Sequence, residues 1–124
     1  MKGVSNEFIE INTMEKRVAS SSKLMNMYPA KVPVIVILSK ELKQDRKFFK
    51  YLVAKDLSMQ YLIMLVRKNV KLDSRKAIFI LTENGTLLTS SMAIGTIYGC
   101  NKNPDGYLYM YVKVENTFGE FVGN

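Results

Sequence analysis

The 124-residue chain is 48% hydrophobic and 23% charged, enough length and apolar content for one folded domain and not the composition of a disordered tail. It has no histidine, which excludes a Ser-His-Asp or Cys-His nucleophile and zinc sites mixing histidine with cysteine, and its single cysteine, Cys100, cannot form an internal disulfide. Eighteen basic against eleven acidic residues give a net charge of +7, and Lys16 to Lys76 alone holds 15 basic and 4 acidic residues, a net +11. Such a basic middle suits an anionic partner: nucleic acid, an acidic membrane or an acidic peptide. No apolar run reaches the roughly 18 residues of a membrane span. The segment MKGVSNEFIEINTMEKR lacks the apolar block of a secretory leader, and a cytosolic setting is expected.

In chain order, Phe8, Ile9 and Ile11 suggest a short helix, and Asn12 or Thr13 can cap a second one over Met14 to Met27, which stops at Tyr28-Pro29. Val32 to Leu38, VPVIVIL, reads as a strand buried on both faces, with Pro33 tolerable near its start. Ser39 to Arg46 reads as a loop and Lys47 to Val53 as a second strand. A helix follows from Asp56 or Ser58 to Asn69, with Leu57, Tyr61, Leu65 and Val66 at helical spacing and Arg67 and Lys68 at its negative end.

Ala77 to Thr82 is a third strand, closed by the turn Glu83-Asn84-Gly85. Thr89-Ser90-Ser91 can cap a short helix over Met92 to Tyr98, Asn103-Pro104-Asp105-Gly106 is a turn, and Tyr107 to Val114 is the last strand. This order describes an α+β fold, a ubiquitin-like β-grasp with a four-stranded mixed sheet and a packed helix, preceded by two N-terminal helices.

Several strings fall in order along the chain: Glu15-Lys16-Arg17, Tyr28-Pro-Ala-Lys-Val-Pro-Val-Ile-Val36, Lys50-Tyr-Leu-Val53 with Asp56-Leu57, Arg67-Lys68, Asp105-Gly-Tyr-Leu-Tyr-Met110 and Glu115-Asn-Thr-Phe-Gly119. No single string is decisive, but the ordered set resembles the ubiquitin-like autophagy modifiers that include GABARAP and the microtubule-associated light-chain proteins. The resemblance implies a helical extension over 1–27, a ubiquitin-like domain over 28–119 and a propeptide over 120–124. It implies cleavage by a cysteine protease after Gly119, with Gly123 the weaker choice, then activation and conjugation by enzymes that join the glycine to phosphatidylethanolamine. The protein would have no active site and no cofactor, and would divide between the cytoplasm and a lipid-anchored pool on autophagosomal membranes. Glycine suits this chemistry because its carboxylate, lacking a neighbouring Cβ, is attacked without obstruction.

The resemblance also implies receptor and adaptor partners carrying aromatic-x-x-aliphatic motifs preceded by acidic residues, added as a strand beside Lys50 to Val53. The aromatic pocket would use Leu24, Pro33, Ile35, Leu52 and Tyr107; the aliphatic pocket would use Val53, Leu57, Leu62 and Leu65, with Tyr51 between the two. For Ile35 and Leu65 plain core packing is the stronger reading. Lys16, Arg17, Lys31 and Lys50 would meet the acidic residues, while Arg67 has two readings of equal weight, a peptide contact or a structural bond to a carboxylate or carbonyl.

The chain departs from the family pattern at Ala54, where proline is usual, at Ser20 and Asn69, and at Phe48 and Phe49, which stand where lysines are usual and make the groove rim more apolar. The rival class is a small basic nucleic-acid-binding domain that stacks bases on Tyr107, Tyr109 and Tyr111, although no RNA-recognition signature is present and the same period-2 spacing suits a core face. An enzyme reading has no acid-base constellation behind it, and a cytoskeletal adaptor with basic helices is a further alternative.

Overall fold

The computed structural model describes residues 4–42 and 44–115. Gly119, Gly123 and the expected propeptide lie outside the described residues.

Helix α1 spans Glu7–Ile11, its first turn closed by the Asn6 side chain, which accepts from the Ile9 N–H at 3.1 Å. Helix α2 spans Met14–Met27, and of the two expected caps Thr13 takes the position, accepting from the Lys16 N–H at 3.2 Å. Strand β1 (Lys31–Leu38) is buried from Val32 onward, as its unbroken apolar run requires. Its pairing with the last strand begins only at Val34, so Pro33 sits where β1 has a single neighbour. The segment read as a loop contains a 3-10 turn at Lys40–Leu42, whose Leu42 is buried. Then come β2 (Phe48–Ala54), α3 (Met59–Val70), β3 (Ala77–Thr82), α4 (Ile94–Asn101) and β4 (Leu108–Glu115).

The sheet runs β2-β1-β4-β3. The central pair, β1 and β4, is parallel and the outer pairs are antiparallel. Alternation sorts the side chains. Val32, Val34 and Val36 of β1 face the same way as Phe49 and Val53 of β2, and they form the larger core with Met59, Leu62, Val66 and Val70 of α3. Ile35 and Ile37 face the opposite way with Tyr107, Tyr109 and Tyr111, under Phe8 of α1. The three tyrosines read as possible base-stacking groups are therefore core, each less than a tenth exposed.

Two helices differ from the sequence reading. In α3 the buried stripe is Met59, Leu62, Val66 and Val70, so Tyr61 is exposed and Leu57 precedes the helix. The short helix α4 starts two residues later than expected and extends to Asn101, and neither its start nor that of α3 has a side-chain cap. The two helix starts cap each other through backbone: Met59 and Gln60 donate to the carbonyls of Met92 and Ser90 at 2.8 and 3.0 Å, and Ile94 and Gly95 donate to those of Leu57 and Lys55 at 2.9 Å. The first two N–H groups of each helix are thus satisfied without a serine side chain.

Candidate functional site

Strand β2 is an edge of the sheet, with β1 on one side and its other side unpaired by any described strand. It is short, buries only Phe49 and Val53, and carries Lys50 outward. The register fixes which side chain faces where. Lys50 lies opposite Ile35 and Leu52 opposite Pro33, on the α1/α2 face, while Tyr51 lies opposite Val34 and Val53 opposite Val32, on the α3 face. The residues expected to form two pockets thus separate onto opposite faces of one edge.

On the α1/α2 face the expected aromatic pocket is closed. Pro33, Ile35 and Tyr107 are buried, and only Leu24 and Leu52 are partly exposed. The Phe8 ring stands edge-on to Tyr107 with centroids 5.0 Å apart and edge-on to Phe48 at 5.4 Å. The Lys50 ammonium lies 5.5 Å from the Tyr107 centroid and 5.8 Å from that of Phe8. Phe48 thus joins an aromatic cluster with α1 rather than standing alone on the rim. Ser20 and Tyr107 share a hydrogen bond between their hydroxyls at 2.7 Å.

On the α3 face Val53 and Leu62 are core, and Tyr51, Leu57 and Leu65 are partly exposed against them. The Tyr51 hydroxyl accepts from the Asn69 amide at 2.6 Å, and burial pushes its pKa up, so it stays a neutral hydroxyl.

The basic residues divide by what they touch. Lys16, Lys31 and Lys50 are exposed, Lys31 with its ammonium 5.5 Å from the Tyr28 ring. Arg17 is not an available rim cation: its guanidinium is paired with Asp105 at 2.9 Å, its side chain is 11% exposed, and Asp105 is wholly buried. It also donates to the Asn12 carbonyl at 3.2 Å. Arg67 takes the structural option, donating to the Lys76 carbonyl at 2.8 Å.

Asp105 is the residue to which sequence reasoning gave no role, having counted it only in a turn and in one of the strings that carry the resemblance. It receives Arg17, the Tyr109 hydroxyl at 2.5 Å and the Tyr107 N–H at 2.8 Å, and its carbonyl accepts from Ser21. Burial and this bond hold the Tyr109 hydroxyl far above its ordinary pKa, so it remains a donor. No local pattern signals such a hub, because two of its partners, Arg17 and Ser21, lie more than eighty residues away in the chain.

Two cavities open beside these elements. One of about 380 Å³ adjoins the β2 edge between Arg46, Phe49, Tyr51 and Asn69. The other, about 560 Å³, lies between α1 and the ends of β1 and β4, bordered by Ile11, Ile37, Tyr111 and Lys113. Among the described residues no cluster of acidic or cysteine side chains could hold a metal ion, and no helix is long and apolar enough to cross a membrane.

The mixed sheet, with α3 on one face and two leading helices on the other, defines a ubiquitin-like β-grasp protein. The family described as "Autophagy protein Atg8 ubiquitin like" matches residues 16–119. Autophagy-related protein 8b of Arabidopsis thaliana is 40% identical over 117 residues, covering 92% of this chain and 93% of its own length. Autophagy-related protein 8B of Oryza sativa subsp. indica is 40% identical over 111 residues, covering 87% and 91%. The crystal structure of Trypanosoma brucei ATG8 superposes with a TM-score of 0.80 at 32% identity, covering 94% of this chain and all of that one. The chain belongs to the Atg8 family of ubiquitin-like autophagy proteins.

Proposed function

We propose that this chain is a ubiquitin-like modifier without catalytic activity. A cysteine protease exposes Gly119, activating and conjugating enzymes carry it, and phosphatidylethanolamine on autophagosomal membranes receives it, leaving a second pool in the cytoplasm. Two lipid acyl chains, at about 0.8 kcal/mol per buried CH₂, hold a domain on a bilayer that one chain holds only marginally. The family match ends at Gly119, which supports that residue as the mature terminus. Receptors and adaptors join by adding an extended segment to β2.

The observation that carries the reading is the free β2 edge, on which Leu52 and Val53 face opposite ways. In an extended strand, residues separated by an odd number of positions point to opposite faces. An aromatic-x-x-aliphatic segment laid along β2 therefore sends its aromatic side chain to the α1/α2 face at Leu52, where Phe8 must give way for it to reach Tyr107, and its aliphatic one to the α3 face at Val53. The exposed ammoniums of Lys16, Lys31 and Lys50 remain for acidic flanking residues. Pairs of this kind are worth about 0–1 kcal/mol each, so they select more than they hold.

Pull-down with the wild type and with Tyr51→Ala, Leu52→Ala tests recruitment. Partners carrying the motif should be lost with the double variant, and their full retention counts against β2 as the docking edge. Substituting Gly119 should abolish membrane association while leaving those partners bound; recruitment that survives the substitution defeats the lipid-anchor reading.

A further inference from the structure

Helix α1, Glu7-Phe8-Ile9-Glu10-Ile11, holds an aromatic residue preceded by an acid and followed three positions on by an aliphatic one, the pattern proposed above for partners of β2. The fold engages the aromatic half of it. Phe8 is 5% exposed, whereas Ile11 is 62% exposed. The Phe8 ring stands edge-on to Tyr107 and Phe48 and tilted to Tyr109 at 6.2 Å, with the Lys50 ammonium over its face. These are the groups that a partner's aromatic side chain would have to meet in order to reach Tyr107, so the place is already taken by a ring of the chain's own.

The attachment of α1 is separable from that of α2. Asn12 and Thr13, which join the two helices, are both extended. Beyond them α2 is fixed on its own account, by the Arg17–Asp105 pair and by Ser21, which donates to the Asp105 carbonyl. The bond from the Asn6 amide to the Tyr111 hydroxyl, at 3.4 Å, is a long one. A helix of five residues does not persist away from its contacts, so α1 unfolds when Phe8 leaves the sheet.

We propose that α1 is a tethered self-ligand of the aromatic site, in which Phe8 holds the place of a partner's aromatic residue, so that peptide binding and α1 docking exclude each other. The inference rests on the strand-addition reading above and gives that site its regulation. A partner binds only those molecules whose α1 is released, and the apparent affinity is lowered by their fraction.

A synthetic peptide with the core Trp-x-x-Leu is titrated calorimetrically into the full chain and its Phe8→Ala variant, and amide exchange of the wild type is followed with and without saturating peptide. Phe8→Ala should bind about tenfold more tightly than the wild type, the factor for a site open in about one molecule in ten. Bound peptide should speed exchange at Ile9 and Glu10, whose N–H groups are hydrogen-bonded in α1, and slow it in β2. The exchange measurement uses the wild type alone and so decides even where Phe8→Ala fails to fold. Exchange at Ile9 and Glu10 that is unchanged or slowed by bound peptide shows Phe8 still seated, which overturns the self-ligand and leaves strand addition standing. An affinity that a folded Phe8→Ala leaves equal or weakens does the same. If neither the wild type nor a folded Phe8→Ala binds the peptide, strand addition itself is overturned.

Discussion

Asp105 governs how α2 is attached to the sheet. Its carboxylate is wholly buried and its charge is met by one guanidinium, that of Arg17. Removing one partner of such a pair strands the other charge away from water. Arg17→Ala should lower unfolding free energy by about 3 kcal/mol, read as a shift in the urea midpoint, and adding Asp105→Asn should return part of the loss. A loss no larger than that of an exposed lysine-to-alanine control would show the pair to be unimportant. The neighbouring Gly106, at φ +91°, is fixed twice over, since a Cβ there would also strike Ser21. The first of these constraints was legible, because proline-aspartate-glycine reads as a turn needing positive φ. The second was not, because nothing in the sequence brings Ser21 to residue 106. The same blindness to distance made Arg17 look like a rim cation.

At the scale of elements, legibility followed whether an element's signals are its own. Helix α2 and strand β3 were bounded correctly, since Thr13, Tyr28-Pro29 and the turn at Gly85 lie inside or beside them. The start of α4 was misplaced because its N–H groups are satisfied by carbonyls of Lys55 and Leu57, some forty residues earlier. Of the site, the choice of β2 came from the family resemblance alone, and nothing in the sequence showed the closure of the aromatic side. That closure is the work of α1, a helix of five residues too short to persist without its contacts. Phe8 supplies them, meeting Phe48, Tyr107 and Tyr109. Phe8→Ala should cost about 3 kcal/mol and speed amide exchange in α1, while the amides of α3, on the other face of the sheet, keep their relative protection. Unchanged exchange in α1 would show that the helix is held by something other than this ring.

For the whole molecule, charge pointed to an anionic partner without choosing one, and topology supplied a free strand edge. The net +11 of residues 16–76 covers α2, the β2 edge and α3, but two of its arginines, Arg17 and Arg67, are spent inside the fold. Arg46 and Lys50 are among those that remain exposed, beside the β2 edge.

The parallel pairing of β1 with β4 also sets an order of assembly. β1 lies between the second strand of the chain and its last, so its ladder stays half empty until residues 108–115 have been synthesised. Until then VPVIVIL is an apolar strand with one open side, the kind of segment that pairs between molecules. Such a late, long-range closure folds slowly and leaves a nascent chain in need of protection. A chain ending at Lys102 should collect in the insoluble fraction rather than fold into a smaller domain; a soluble, cooperatively melting product would show that β1 finds its place without its parallel partner.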